Sequence, residues 1–404
     1  MTQTGTIPTG YKKTEIGIIP EDWDVKTLVE VTENVKVGLA TSVTKYYRNK
    51  GIPIIRNLNI KDGFFEDRDM LYLDEDFAKA NLSKSAKGLD VLTVHTGANL
   101  GLTCVLPKRY DKCQTFTTLI TTPKKSIIDS YYLCYHMGSF FGKKEMNKLE
   151  VGGGKGNLNT ADLKKYRIFF PSNIKEQKAI ARVLSDTDAL IESLEKLIAK
   201  KKDIKQGTMQ QLLTGKKRLP GFSGEWKTKE LGTLLKYEQP TKYIVKNTEY
   251  NNINLIPVLT AGKSFILGYT NEDYGIYIDI PVIIFDDFTT ESKYVTFPFK
   301  VKSSAMKILK SRDINVNLRF IYEKMQTIDF LLRDHKRYWI SEYQNIKMNI
   351  PGFEEQTAIA NILSDMDTEI EKMEQKKDKY ISLKQGMMQQ LLTGKIRLVK
   401  NGDN

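Results

Sequence analysis

The sequence predicts an α+β protein: two globular mixed α/β blocks separated by two long antiparallel coiled-coil helices, in a pseudo-twofold internal repeat. Three observations predict it. One segment occurs twice, at 176–219 and 355–398, with a gapless offset of 179 and 26 of 44 positions identical. Apolar residues within each copy step by four and three, the seam of a coiled coil. The stretches outside the copies carry β-branched runs bounded by glycine or proline, which read as strands. The expected boundaries are 1–172, 173–219, 220–352 and 353–404.

The first block opens on GIIPEDWDVKTLVEV (17–31), echoed at GFSGEWKTKELGTLL (221–235), with Trp23 matching Trp226 at an offset of 203. Both tryptophans are expected in cores or docking contacts. DVLTVHTG, LTCVLP and TFTTLITTP read as strands, and SYYLCYHMGSFFGKKEMNKL as an amphipathic helix. VGGGKGNLNTADLKKYRIFFP reads as a glycine-rich loop, an Asn/Thr-capped short helix and a closing strand. The second block repeats this plan. IPVLTAG, ILGYT and DIPVIIFDD are expected strands, VNLRFIYEKMQTIDFLL a helix, and NIKMNIP the last strand.

The helix seam is expected at Ile180, Leu184, Thr187, Ile191, Leu194 and Ile198, and at Ile359, Leu363, Met366, Ile370 and Met373. Each helix follows a proline (Pro171, Pro351) and stops at Leu-Leu-Thr-Gly. From 176 to 213 a continuous helix would measure ~57 Å at ~1.5 Å per residue. The alternative is that each helix docks on its own globular block.

Composition bounds the function. The chain has 404 residues, 62 Lys+Arg against 49 Asp+Glu, and a net charge of +13. That length predicts two to four domains at ~100–200 residues each, and the basic excess favours a nucleic-acid partner. The charge is uneven: +7 over 1–175 and +4 over 176–219, with near neutrality beyond. No run of ~18 apolar residues predicts a membrane span. The first residues lack the apolar core of a signal peptide. Cys104, Cys113 and Cys134 have no CxxC spacing, which argues against zinc and disulfides and suits a reducing cytoplasm.

Motifs for catalysis are weak. The GKS at 262–264 lacks the upstream glycine of a phosphate loop, because Pro257 stands there. The glycines at 152, 153, 154 and 156 fail GxGxxG. Asp286, Asp287, Glu291 and Lys293 resemble a D…ExK nuclease cluster, but three residues between Asp287 and Glu291 are too few for groups usually carried on separate strands. His95, His136 and His335 lack metal spacing. No catalytic residue, metal or cofactor is expected.

Two copies of EQxAIAxxLSDxD…KQGxMQQLLTGKxRL, each after a variable block, the first ending in NLNTADLKKYRI, look like the specificity subunit of type I restriction-modification systems. The resemblance covers essentially the whole chain. It implies that each block is a target recognition domain reading one half of a bipartite, asymmetric double-stranded DNA target, with the helices as spacer. It also implies two methyltransferase (modification) subunits docked on this chain, restriction subunits joining for cleavage, and no chemistry in the chain itself. The competing readings are a self-contained nuclease or methyltransferase, and a coiled-coil adaptor that binds no DNA.

Arg, Asn and Thr can donate to base edges, and Lys suits phosphates. The expected DNA contacts are therefore Arg56, Asn57, Thr96, Asn99, Lys155, Asn157 and Asn159 in the first block. In the second they are Thr289, Thr290, Lys293, Lys302, Ser303, Ser304, Arg333, Lys336, Arg337, Tyr338 and Trp339. Gln206, Gln210 and Gln211, repeated as Gln385, Gln389 and Gln390, are the expected partner-docking face.

Overall fold

The two long helices run where the apolar steps place them, Ile174–Leu212 and Phe353–Leu391. Each is followed by a glycine in the left-handed region, Gly215 at φ +73° and Gly394 at φ +69°. The computed structural model describes residues 7–151, 156–251, 253, 255–261, 264–332 and 336–399. Its chain forms two compact units, Met1–Ser193 with Lys376–Asn404, and Leu194–Gln375. The sequence blocks put each whole helix in a segment of its own. The units instead divide each helix near its middle, because each helix end is packed into a globular core.

The first unit holds a four-stranded antiparallel sheet ordered Thr32–Val37, Thr118–Pro123, Val91–Val94, Thr103–Val105. A second sheet runs Gln114–Thr115, Ile52–Ile55, Leu71–Leu73, Tyr47–Arg48, and its first pair is parallel. A ribbon pairs Trp23–Thr27 with Arg167–Pro171.

The second unit repeats this plan. Its antiparallel sheet is ordered Leu235–Glu238, Met306–Ser311, Val282–Asp286, Ser292–Val295. Its second sheet runs Ile266–Thr270, Ile256–Leu259, Lys300–Val301, and the last pair is parallel. Its ribbon pairs Lys227–Glu230 with Lys347–Ile350. The repeat visible in the helices therefore extends through the variable blocks: the antiparallel sheet and the ribbon keep their strand order, while the second sheet has three strands instead of four.

Two helices are shorter than expected. SYYLCYHMGSFFGKKEMNKL forms Ser130–Gly138 and Phe140–Val151, not one helix. Ser139 breaks it: its Oγ accepts from Gly142 N at 3.1 Å, and a Cβ at Gly142 would lie 2.0 Å from the His136 carbonyl. The helix of the second block is Leu318–Met325, started by Asn317, whose side chain accepts from Phe320 N.

Each unit is closed by the head of one repeat copy and the tail of the other. In the first, Ile180 and Leu184 share a core with Trp23, Leu391 and Leu392. Glu176, 1% exposed, is held by Arg397 at 2.6 Å. Lys384 pairs with Asp188. In the second, Ile359 and Leu363 share a core with Leu212 and Leu213. Glu355 takes Nε and Nη2 of Arg218 at 2.6 Å each, and Lys205 pairs with Asp367. The helix segments within each unit run antiparallel, as falling partner numbers show: Lys201 pairs with Glu369 and Lys205 with Asp367. Gln177 accepts from Asp129 N and donates to Pro171 O; Gln356 does the same with Asn317 N and Pro351 O. The amide thus ties each long helix to the start of the neighbouring short helix.

The seam residues divide accordingly. Ile180, Leu184, Ile359 and Leu363 pack in globular cores that also hold the other helix's end. Leu194, Ile198 and Ile370, beyond those cores, are also buried. Thr187, Ile191, Met366 and Met373 are half-buried.

The matched glycines differ in tolerance. A Cβ at Gly394 would lie 2.3 Å from Pro20 Cγ and 3.1 Å from the Trp23 ring, whereas at Gly215 the nearest atom is Trp226 at 3.5 Å. Both positions are left-handed, worth ~1–2 kcal/mol against alanine. Only Gly394→Ala adds overpacking, typically ~1–3 kcal/mol. In urea unfolding Gly394→Ala is therefore expected to cost ~3 kcal/mol and Gly215→Ala ~1 kcal/mol; equal losses would contradict the packing difference.

Candidate nucleic-acid interface

In the first unit, tertiary structure joins two of the expected reading segments. Thr96, just beyond the strand Val91–Val94, forms an antiparallel bridge with Asn157. Leu158 N donates to His95 O at 3.0 Å, and His95 Nδ1 lies 3.0 Å from Leu158 O. HTGANLG and GNLN, about sixty residues apart, thus form one edge, with exposed Asn99 and Asn157 upon it. Asn159 caps the helix Thr160–Lys164, accepting from Asp162 N at 2.9 Å. That side chain is engaged in the fold, which corrects its placement among groups free to donate to bases. Lys155 lies outside the described residues, as do the glycines at 152–154.

Arg56 and Asn57 lead out of the strand Ile52–Ile55. Buried Asn59 organises this loop: it accepts from Arg56 N and donates to the carbonyls of Glu66 and Arg68. Arg56 Nη2 donates to Asp69 O at 2.5 Å. Arg56 Nε and Asn57 Oδ1 are shielded and have no hydrogen-bond partner among the described residues.

In the second unit, three of the expected segments meet at Asp287, which is fully buried. Its N–H donates to Ala305 O at 3.1 Å, beside Ser303 and Ser304. Its carbonyl accepts from Tyr338 N at 2.8 Å, and its Oδ1 from Trp339 N at 2.9 Å. Its Oδ2 lies 3.2 Å from Lys307 Nζ, also fully buried. The turn leading to Thr289 and Thr290 is fixed by Asp286 Oδ1, which accepts from Phe288 N and Thr289 N. Thr290 sits at φ +61°. Exposed around this hub are Thr289, Lys293 and Arg337, with Thr290, Ser303 and Ser304 half-exposed. Lys302 Nζ lies 5.6 Å from the Tyr250 ring centroid, and Lys336 pairs with Glu342. Arg333 lies outside the described residues.

Tyr338 and Trp339 are core residues, which corrects their placement among the DNA contacts. They are 0% and 1% exposed, and their rings pack on Phe330, Phe285 and Tyr343. Asp286 and Asp287 are likewise engaged in the fold, and do not form an open metal site with Glu291 and Lys293. Among the described residues no cluster of His, Cys, Asp or Glu is placed to hold a metal. Burial pushes the His136 imidazole down to about 3, so it stays neutral, and the Cys113 and Cys134 thiols up to about 12. All three cysteines are free and buried. Gln206, Gln210, Gln211, Gln385 and Gln389 are exposed, and Gln390 is half-exposed.

Sequence reasoning misses Lys307, Gln177, Gln356, Arg218 and Arg397. The last four recur at the offset of 179, a signal that the repeat itself carries. Lys307 has none, because a lysine in a strand reads as a solvent-facing residue.

A family model described as type I restriction modification DNA specificity domain matches residues 20–203. The EcoR124I/EcoR124II specificity subunit of Escherichia coli is 52% identical over 148 residues, 35% of this chain and 36% of that one. The aligned stretch is thus about a third of that relative. The putative MjaX specificity subunit of Methanocaldococcus jannaschii is 28% identical over 96% of this chain and 97% of its own. Among solved structures, a type I restriction-modification S subunit from M. genitalium covers 91% of this chain and 96% of its own, with a TM-score of 0.65 and 16% identity. A type I system structure described for complex assembly and conformational transition covers 94% and 99%, with a TM-score of 0.51 and 15% identity. Both show the same fold.

Proposed function

We propose that this chain is a type I restriction-modification DNA specificity subunit, a reading its similarity to that family supports, and that each of its units reads one half of a bipartite, asymmetric DNA target. The single observation that carries this reading is the strand order that the antiparallel sheet and the ribbon share between two units with divergent loops. A common frame presents different side chains at its loop edges, which suits reading two different half-sites. The chain is a non-catalytic specificity subunit. Methyl transfer and cleavage reside in partner chains: two methyltransferase subunits, joined by restriction subunits. The repeated glutamines 206, 210, 211, 385, 389 and 390 offer two similar exposed faces, and two similar faces suit two identical partners. Among the described residues no helix is long and apolar enough to cross a membrane, and we place the complex in the cytoplasm with its DNA.

The reading contacts we propose are Arg56, Asn57, Thr96, Asn99 and Asn157 in the first unit. In the second they are Thr289, Thr290, Lys293, Lys302, Ser303, Ser304, Lys336 and Arg337. Methylome sequencing of a host carrying this chain and its methyltransferase tests the reading. A single two-part motif is expected, and uniform or absent methylation contradicts it. Binding to duplex libraries at fixed salt separates selective reading from general attraction to phosphates.

A second expectation follows from the spacer role. Adding four residues to each long helix, one turn or ~6 Å, corresponds to about two base pairs at ~3.4 Å each. The gap between half-sites should lengthen by that amount and both half-site sequences stay unchanged. An altered half-site would contradict a modular spacer.

A further inference from the structure

We infer that Asp287, held by Lys307, is the positioning residue of the second reading unit. The inference rests on the reading proposed above. Residue 287 bonds to two separate segments through three groups: its N–H to Ala305 O, its carbonyl to Tyr338 N, and its Oδ1 to Trp339 N. It also begins the turn that carries Thr289 and Thr290. The three loops bearing Thr289, Ser303 and Arg337 therefore meet at one residue: its backbone joins the Ser303 loop, Asp286 Oδ1 holds the Thr289 turn, and the Asp287 side chain fixes Trp339 N, two residues after Arg337.

Both members of the ion pair are fully buried. Apolar residues of similar volume often replace such a pair without loss of stability, so the charges are not needed for burial alone. What matters here is an acceptor kept in place for Trp339 N, which Lys307 secures in the native chain by holding the carboxylate. Side chains read base edges through paired hydrogen bonds of fixed geometry, so loops that shift by an ångström lose selectivity before they lose their fold.

The first unit makes the same join by neutral means. By sheet order, Val91–Val94 corresponds to Val282–Asp286, and the short helix Thr160–Lys164 to Tyr338–Ser341. There His95 and Leu158 exchange bonds where Asp287 stands in the second unit. The strand end is tied to the segment before the short helix in both units, and only the second uses a buried charge.

The test uses the full chain assembled with its methyltransferase subunits. Duplex libraries are randomised in one half-site at a time, and methylation of cognate over non-cognate sequence is read for each half. The variants are D287N/K307M and D287A/K307M. Both remove the two charges, but only the first keeps the Oδ1 acceptor. D287N/K307M is expected to hold second-half selectivity within about threefold of wild type. D287A/K307M is expected to lose it by about tenfold or more, the scale of one paired base contact, with first-half selectivity unchanged. Equal second-half selectivity in the two variants overturns the inference, as does a loss confined to thermal stability. If D287A/K307M does not fold, D287N alone serves, since its unpaired ammonium competes for the acceptor. About a threefold loss in the second half is then expected, and none overturns the inference. Absence of any two-part motif with the wild-type chain would sink the proposed function instead.

Discussion

Replacing Trp23 with alanine is expected to destabilise the first unit by about 3–5 kcal/mol, the usual cost of emptying a buried aromatic site. Trp23 is fully buried, stacked on Phe169 at 6.2 Å and edge-on to Tyr132 at 6.5 Å. The same core holds Ile180 and Leu184 of one repeat copy and Leu391 and Leu392 of the other. The cavity would therefore open where the two helix ends meet the sheet ribbon. The matching Trp226 is only partly buried. It packs edge-on to Phe320, with Arg218 and Lys324 over its ring. Lys324, which burial pushes down to about 8, is fixed by Leu213 O at 2.5 Å. Trp226→Ala should cost roughly half as much, since less apolar area returns to water. Urea unfolding of the two variants checks this, and equal losses would contradict the difference in burial.

Lys307→Met is expected to cost the second unit about 3–5 kcal/mol, because it leaves the Asp287 carboxylate buried without its cation. The double change Asp287→Asn with Lys307→Met should recover most of that loss, since neither member of the pair then leaves an unpaired charge at that site. A double-mutant cycle by thermal or urea unfolding measures the coupling. Additive losses would mean that the 3.2 Å pair contributes nothing to stability. This cycle reports on stability alone, and the half-site selectivity of the same pair reports on loop position.

Much of the architecture is legible in the order of residues alone. The steps of three and four from Ile180 to Ile198 identify the first helix, and the repeat boundary at 176 lies within two residues of its observed start, Ile174. The β-branched runs locate Val91–Val94, Thr118–Pro123 and Val282–Asp286. Local physics suffices there, because helix and strand periods are written in adjacent residues. The site is less legible. Thr96 and Asn157 each look suited to bases, but nothing in the sequence states that they pair, since strand register is a long-range property. Tyr338 and Trp339 stand beside basic residues, where an aromatic reads as a stacking surface. Their burial depends on Phe285 and Phe330, which other segments bring to them. Asn159 reads as a base donor by its amide, whose local role is a helix cap.

Pattern in the residues alone shows that the chain is built twice, that two long amphipathic helices carry the repeat, and which family it resembles. Those are matters of pattern and of identity between residues 179 apart. Tertiary packing settles that the head of each copy closes a unit with the tail of the other, as Glu176 with Arg397 and Glu355 with Arg218. It also settles that Asp287, which resembles part of a nuclease motif, is the buried post to which three loops are tied. The physical reason is shared. Burying a charge requires a partner, and the partner comes from wherever the fold brings one.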